Sequence, residues 1–255
     1  MTGSSCPLPS LPGAVGPATT ALGGCRAGLP QPYYDDGKGI VIYHADCRDI
    51  LPLLEPVDVI LTDPQFFLPP VGHGARGDQE WRGSLGDLAM FEATFEPFFD
   101  QFQRLLGRGG QLYVNCHYRS YSSLYRLAYT RWHKTDMIVW YKPTGRIGRG
   151  WRHAHELILH ASGSQTEYAD GFRLNIVGIM PVRTMKREHP AEKPGDLGDF
   201  LLEAVPVPGT MLDPFMGSGS YLLSARRRGL KAIGIEIEER YCEIAVKRLA
   251  QEVLL

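Results

Sequence analysis

The chain predicts an α/β fold with a largely parallel sheet. From about residue 40 onward, short apolar, β-branched runs alternate with helical patterns. One of those runs ends in Asp-Pro, and another ends in a glycine-rich turn that opens a helix. At 255 residues there is enough chain for one substantial core.

In order, Ile40–Tyr43 predicts a strand and "CRDILPLL" a short helix after it. "VDVILTDP" (Val57–Pro64) reads as a buried parallel strand. The segment from Asp87 to Gly110 has helical spacing of Leu88, Phe91, Phe95, Phe98, Phe102 and Leu105, and stops at Gly109–Gly110. "QLYVNC" predicts a strand, "SYSSLYRLAYTR" a helix, and "TDMIVWYK" and "ELILHAS" two further strands. From "GTMLD" to the end the pattern is strand, glycine turn, helix, strand, helix. Residues 1–32 are rich in Gly, Pro, Ser and Ala, with Arg26 their single charge. Such a segment buries too little to offset its chain entropy, so a flexible arm is expected there, followed by one domain over 33–255.

Lys and Arg total 27 against 28 Asp and Glu, so a polyanionic partner would need a local basic patch. The five cysteines show neither CxxC nor Cys/His ligand spacing, which argues against a disulfide framework and a zinc site; no metal is expected. There is no apolar run of membrane-spanning length and no signal-peptide pattern, so the expected location is the cytoplasm.

"LDPFMGSGS" (Leu212–Ser220) places Gly217 and Gly219 between a strand and a helix. Glycines there permit tight turns and close approach of a ligand to the main chain. No Gly-Lys-Ser/Thr follows, which excludes a P-loop, and the third glycine of a dinucleotide fingerprint is missing. Glu236 ends the next strand, where a carboxylate could accept from both hydroxyls of a ribose. A nucleoside-bearing cofactor is favoured over a plain strand-to-helix turn.

Here the sequence resembles a known family. "LDPFMGSGS…GLKAIGIEIEERYCEIAVKRL" is similar to the S-adenosylmethionine-binding half of the amino-methylating DNA methyltransferases. "HPAEKP" (His189–Pro194) resembles the segment preceding the glycine turn in that family. "YHADCRDILPLLEPVDVILTDPQF" resembles its opening, where the catalytic strand normally ends in Asp-Pro-Pro-Tyr, and "WYKPTGRIGRGWRHAHELILHASG" resembles the middle of adenine-directed members. The catalytic segment precedes the cofactor segment, the order of the permuted beta class. The resemblance covers roughly residues 40–250. It implies a doubly wound, mostly parallel, Rossmann-like methyltransferase fold with permuted motif order, and S-adenosylmethionine as cofactor. By similarity, Asp213, Phe215, Gly217, Ser218, Gly219 and Glu236 would hold the methionine and ribose parts. Asp46 and Cys47 would lie at the adenine ring, and Lys193 near the methionine end.

The Asp-Pro run fits that chemistry. An exocyclic amine is a poor nucleophile because its lone pair is delocalised into the ring. The Asp63 carboxylate and the Pro64 carbonyl could each accept from it and stabilise the charge that develops as it attacks a methyl group. Phe66 offers a face for a flipped base to stack on. Gln65 departs from the family's proline. It gives up φ restriction at that position, and it leaves open an active relaxed site, an unusual acceptor or an impaired copy. Asp63, where many cytosine-N4 enzymes have Ser, favours adenine N6. No Pro-Cys pair is present, which disfavours cytosine-C5 chemistry.

Residues 142–187 hold eight basic side chains against three acidic ones, an excess of five in a chain of near-zero net charge. Lys142, Arg146, Arg149 and Arg152, with glycines interleaved and Trp151 beside them, suit a recognition insert lying along the phosphates of double-stranded DNA. The insert is short, so base readout would be limited or shared with a second subunit of a homodimer. The expected function is therefore transfer of a methyl group to the exocyclic amine of a flipped base, adenine N6 first. Cytosine N4, an RNA or small-molecule amine, and an impaired DNA-binding relative are the alternatives.

Overall fold

The computed structural model describes residues 28–64, 85–143, 154–171, 173–182 and 192–252. Among these, nine strands form one sheet in the order β1-β2-β9-β8-β3-β4-β6-β5-β7. The strands are β1 (Tyr34–Asp35), β2 (Ile40–His44), β3 (Val59–Thr62), β4 (Gln111–Cys116), β5 (Lys134–Tyr141), β6 (His155–Ser162), β7 (Ile176–Gly178), β8 (Thr210–Asp213) and β9 (Lys231–Glu236). The central run β2-β9-β8-β3-β4 is parallel throughout. Two strands oppose it: β1 against β2, and β6 between β4 and β5.

The central strands are apolar on both faces because helices cover both. On one face lie α1 (Cys47–Ile50), α2 (Leu85–Leu106) and α3 (Tyr118–Tyr129); on the other lie α4 (Gly195–Leu202), α5 (Ser220–Arg228) and α6 (Glu239–Glu252). Side-chain alternation along β3 divides the core: Ile60 joins the α2 side, while Val59 and Leu61 join the α4–α5 side. Phe95, Phe99, Phe102 and Leu105 anchor α2, each buried ring or isobutyl group contributing about 2 kcal/mol. Phe99 lies outside the stripe expected from spacing, whereas Phe98 lies beyond the end of β8 and meets Phe215 edge-on at 5.5 Å.

The predicted strands and helices are all present, with ends shifted by one or a few residues. Three elements were not expected: the two-residue β1, the three-residue β7 and α4. Leu29, in the segment expected to be flexible, packs against the core, while residues 1–27 lie outside the described residues. The interval 142–187 is divided by β6, six of whose eight residues are buried. Arg173, one of its basic residues, is bound to Asp170, Glu203 and the Phe200 carbonyl. No helix among the described residues is long and apolar enough to cross a membrane.

Candidate active site

The chain leaves β8 toward β9 on one side, whereas β3 leads to β4 on the other. The β8/β3 pair is therefore the switch point of the sheet, where a crevice opens beyond the carboxyl ends of the strands. A cleft of about 1240 Å³ lies there.

The glycine turn forms its first wall. Gly217 (φ 54°) and Gly219 (φ 78°) both occupy the left-handed region, which side chains disfavour. A Cβ on Gly219 would also stand 2.7 Å from the Ala245 Cβ, so α6 closes on the turn only because that position is glycine. The Gly217 N–H donates to Glu236 Oε2 at 2.8 Å, and the Glu238 N–H donates to Oε1 at 2.9 Å. Glu236 thus ties the turn to the end of β9 while lining the cleft. Arg248 was not singled out from sequence. It donates to the Ser218 hydroxyl at 3.1 Å and to Glu192 Oε1 at 2.7 Å, clamping the turn to the Glu-Lys-Pro segment.

Asp213 ends β8 fully buried. Its Oδ1 accepts from the Thr62 hydroxyl at 2.8 Å and from the Phe215 N–H at 3.2 Å. Burial pushes its carboxyl up to about 7, against the pull of those donors. Asn115, also unforeseen, donates to the Thr62 carbonyl at 3.1 Å and to the Tyr221 hydroxyl at 2.7 Å. The last residue of β3 is therefore held through its side chain by β8 and through its carbonyl by β4.

At the far end of the cleft, Asp46 caps α1 and accepts from the Arg48 N–H at 2.9 Å. Hydrogen bonding from the Arg48 side chain holds its carboxyl below the usual range. Cys47 beside it is buried, which pushes its thiol up to about 12, so it serves as an apolar wall.

Asp63 and Pro64 follow β3 directly and face the same cleft. The Lys193 ammonium stands 2.5 Å from Asp63 Oδ2 and 3.7 Å from Glu156 Oε2. Burial would lower the Lys193 pKa, but the Asp63 and Glu156 carboxylates outweigh it and raise it. Lys193, expected near the methionine end, thus has its charged end on the Asp-Pro motif. Lys142 donates to Glu156 Oε1, with its ammonium 4.3 Å from the centre of the Trp140 ring. Gln65, Phe66, Arg146, Arg149, Trp151 and Arg152 lie outside the described residues. No cluster of metal-ligating side chains occurs among the described residues.

A doubly wound sheet with a glycine turn, a carboxylate ending the following strand and Asp-Pro just after the neighbouring strand fits the class of S-adenosylmethionine-dependent amino-methyltransferases that the sequence resembles. Comparison with known proteins gives the particular family. A DNA methylase family model covering N6 and N4 methyltransferases matches residues 167–247. The type II methyltransferase M2.LlaDCHI of Lactococcus lactis subsp. cremoris is 30% identical over 87% of this chain and 93% of its own. M2.DpnII of Streptococcus pneumoniae is 30% identical over 88% and 94%. The crystal structure of the M1.HpyAVI–SAM complex superposes with a TM-score of 0.64 at 25% identity, covering 82% of this chain and 98% of that one. The chain belongs to the N6/N4 DNA methyltransferase family. It is a site-specific, S-adenosylmethionine-dependent DNA methyltransferase. The cleft fits that cofactor: the glycine turn and the Glu236 carboxylate line one side of it, and Asp46 and Cys47 line it at the other end.

Proposed function

We propose that this methyltransferase acts on adenine N6 in double-stranded DNA, with Asp63 and Pro64 as the acceptor pair for the amine. The observation that carries this reading is the Asp63 carboxylate at the mouth of the cleft, one strand away from the glycine turn. S-adenosylmethionine, when bound, supplies an electrophilic methyl group on sulfur.

Gly217, Ser218, Gly219 and Phe215 hold the methionine part, Glu236 the ribose hydroxyls, and Asp46 and Cys47 flank the adenine. Asp63 and the Pro64 carbonyl draw the two N–H groups of the target amine out of conjugation and stabilise its developing positive charge. Thr62, fixed by Asp213 and Asn115, sets the direction in which the chain enters Asp63. That restraint lies on the N-terminal side of the motif and does not depend on a proline at position 65, which supports activity with Gln65 in place. Phe66 supplies the stacking face for a base swung out of the duplex, at an unstacking cost of a few kcal/mol. Lys142, Arg146, Arg149 and Arg152 meet the phosphates, and a second copy of the chain in a homodimer extends the contact.

The test uses labelled S-adenosylmethionine and mixed-sequence duplex DNA, followed by mass analysis of the nucleosides. N6-methyladenine is the expected product. N4-methylcytosine instead would overturn the choice of base, and methylation of RNA or small amines alone would overturn the choice of DNA.

A further inference from the structure

β6 reaches the active-site edge because it runs against its neighbours. It pairs antiparallel with β4, Leu157 opposite Cys116, so its first residues lie where β4 ends. β5, the preceding strand, lies on its other side with Trp140 opposite Glu156, and Lys142 leaves the sheet at the same corner. Glu156 therefore stands between two ammonium groups. Lys142 donates to its Oε1, while Lys193, 2.5 Å from Asp63 Oδ2, is 3.7 Å from its Oε2.

Lys142, Glu156, Lys193 and Asp63 thus form a row of alternating charges, close-paired at both ends and looser in the middle. All four side chains are largely withdrawn from water, at 18, 26, 12 and 20% exposure, so solvent does little to screen them. Such a row has a second pairing, in which Lys193 moves onto Glu156 and Lys142 is let go. The first pairing obstructs the proposed reaction. A cation fixed on Asp63 competes with the incoming amine and repels the charge that develops there.

We propose that Glu156 is a positioning residue that draws Lys193 off Asp63 when DNA binds. This deepens, and rests on, the reading of Asp63 as the acceptor. While Lys142 holds Glu156, Lys193 stays on Asp63 and the acceptor is masked. A phosphate of the duplex competes for Lys142, Glu156 then takes Lys193, and Asp63 is released to the amine.

The test is steady-state methylation of duplex DNA by the full chain, with cofactor titration and thermal melting alongside. Glu156→Gln keeps size and hydrogen-bond acceptance but removes the charge. Its kcat is expected to fall about tenfold, with KM for S-adenosylmethionine and melting temperature near wild type. Glu156→Asp, which keeps the charge, is expected to retain most of the rate. Adding Lys193→Met to Glu156→Gln removes the trapped cation and is expected to recover rate. Lys142→Met is expected to raise KM for DNA without lowering kcat. A double variant no faster than Glu156→Gln alone would overturn the proposal, as would a kcat loss in Lys142→Met matching that of Glu156→Gln. Asp63→Asn separates the two levels. Full activity there would remove the acceptor reading itself, whereas an inactive Asp63→Asn beside a wild-type-like Glu156→Gln would overturn only the role of Glu156.

Discussion

Between Leu212 and Glu238 the chain builds one wall of the cleft mainly from main chain. The wall at the end of β3 is assembled from charged side chains brought together from positions 63, 156 and 193, with Lys142 outside the cleft lining and paired to Glu156. The first wall depends on where a Cβ is absent: two left-handed glycines, and a helix closing to 2.7 Å of the space one of them leaves open. The second depends on charges whose partners can be exchanged. Rigid main chain suits a cofactor that must return to the same place in every cycle. Exchangeable ion pairs suit a pocket that must stay closed until a base is delivered to it. The difference also predicts how each wall fails: substitution in the first should cost affinity and stability together, and substitution in the second should cost rate.

Gly219→Ala should have the largest effect on the cofactor wall. A left-handed alanine costs roughly 1–2 kcal/mol, and overlap with Ala245 adds to it, so S-adenosylmethionine affinity should drop by about thirtyfold or more. Calorimetric titration and a melting curve would check this. An alanine variant that binds and melts like wild type would break the contrast between the walls.

Arg248→Ala comes next. It leaves the well-buried Glu192 carboxylate without its guanidinium and lets the Ser218 turn relax, an effect of about 1–2 kcal/mol. Cofactor affinity should weaken by about tenfold in the same titration, and the melting temperature should fall with it. A change in kcat alone would place Arg248 with the exchangeable wall instead.

The smallest effect concerns pH. Folding raises the Asp213 carboxyl to about 7, so the native state holds a proton that the unfolded chain has already released. The corresponding stability is fully present below the ordinary carboxylate range and is lost as pH rises through about 7. Asp213→Asn can still accept from Thr62 and the Phe215 N–H. It should gain a few degrees of melting temperature on wild type between pH 5 and pH 8. A gap that does not change with pH would remove the buried proton from the account.

The same contrast explains what could be read in the sequence. The glycine turn, Glu236 and Asp-Pro are contiguous motifs at the ends of strands that their own apolar runs announce. α4 was missed because Gly195 and Gly198 lower its helix propensity; a Cβ on Gly198 would meet the Ser224 hydroxyl at 2.5 Å, so packing on α5 selects glycine there. β1 and β7 are too short to show a period. Glu156 entered the sequence analysis as the first residue of the strand "ELILHAS" and as one of the three acidic residues of 142–187, without a site role, since its place in the cleft follows from the reversed direction of β6. Arg248 and Asn115 likewise meet partners 30 to 106 residues away, which no local pattern records.

The most direct test of the two-wall account is S-adenosylmethionine binding and methyl transfer measured side by side on Asp63→Ala. The account predicts affinity within about twofold of wild type and no methylated base, because Asp63 serves the amine and not the cofactor. Loss of cofactor binding, or methylated adenine still formed at the wild-type rate, would contradict it.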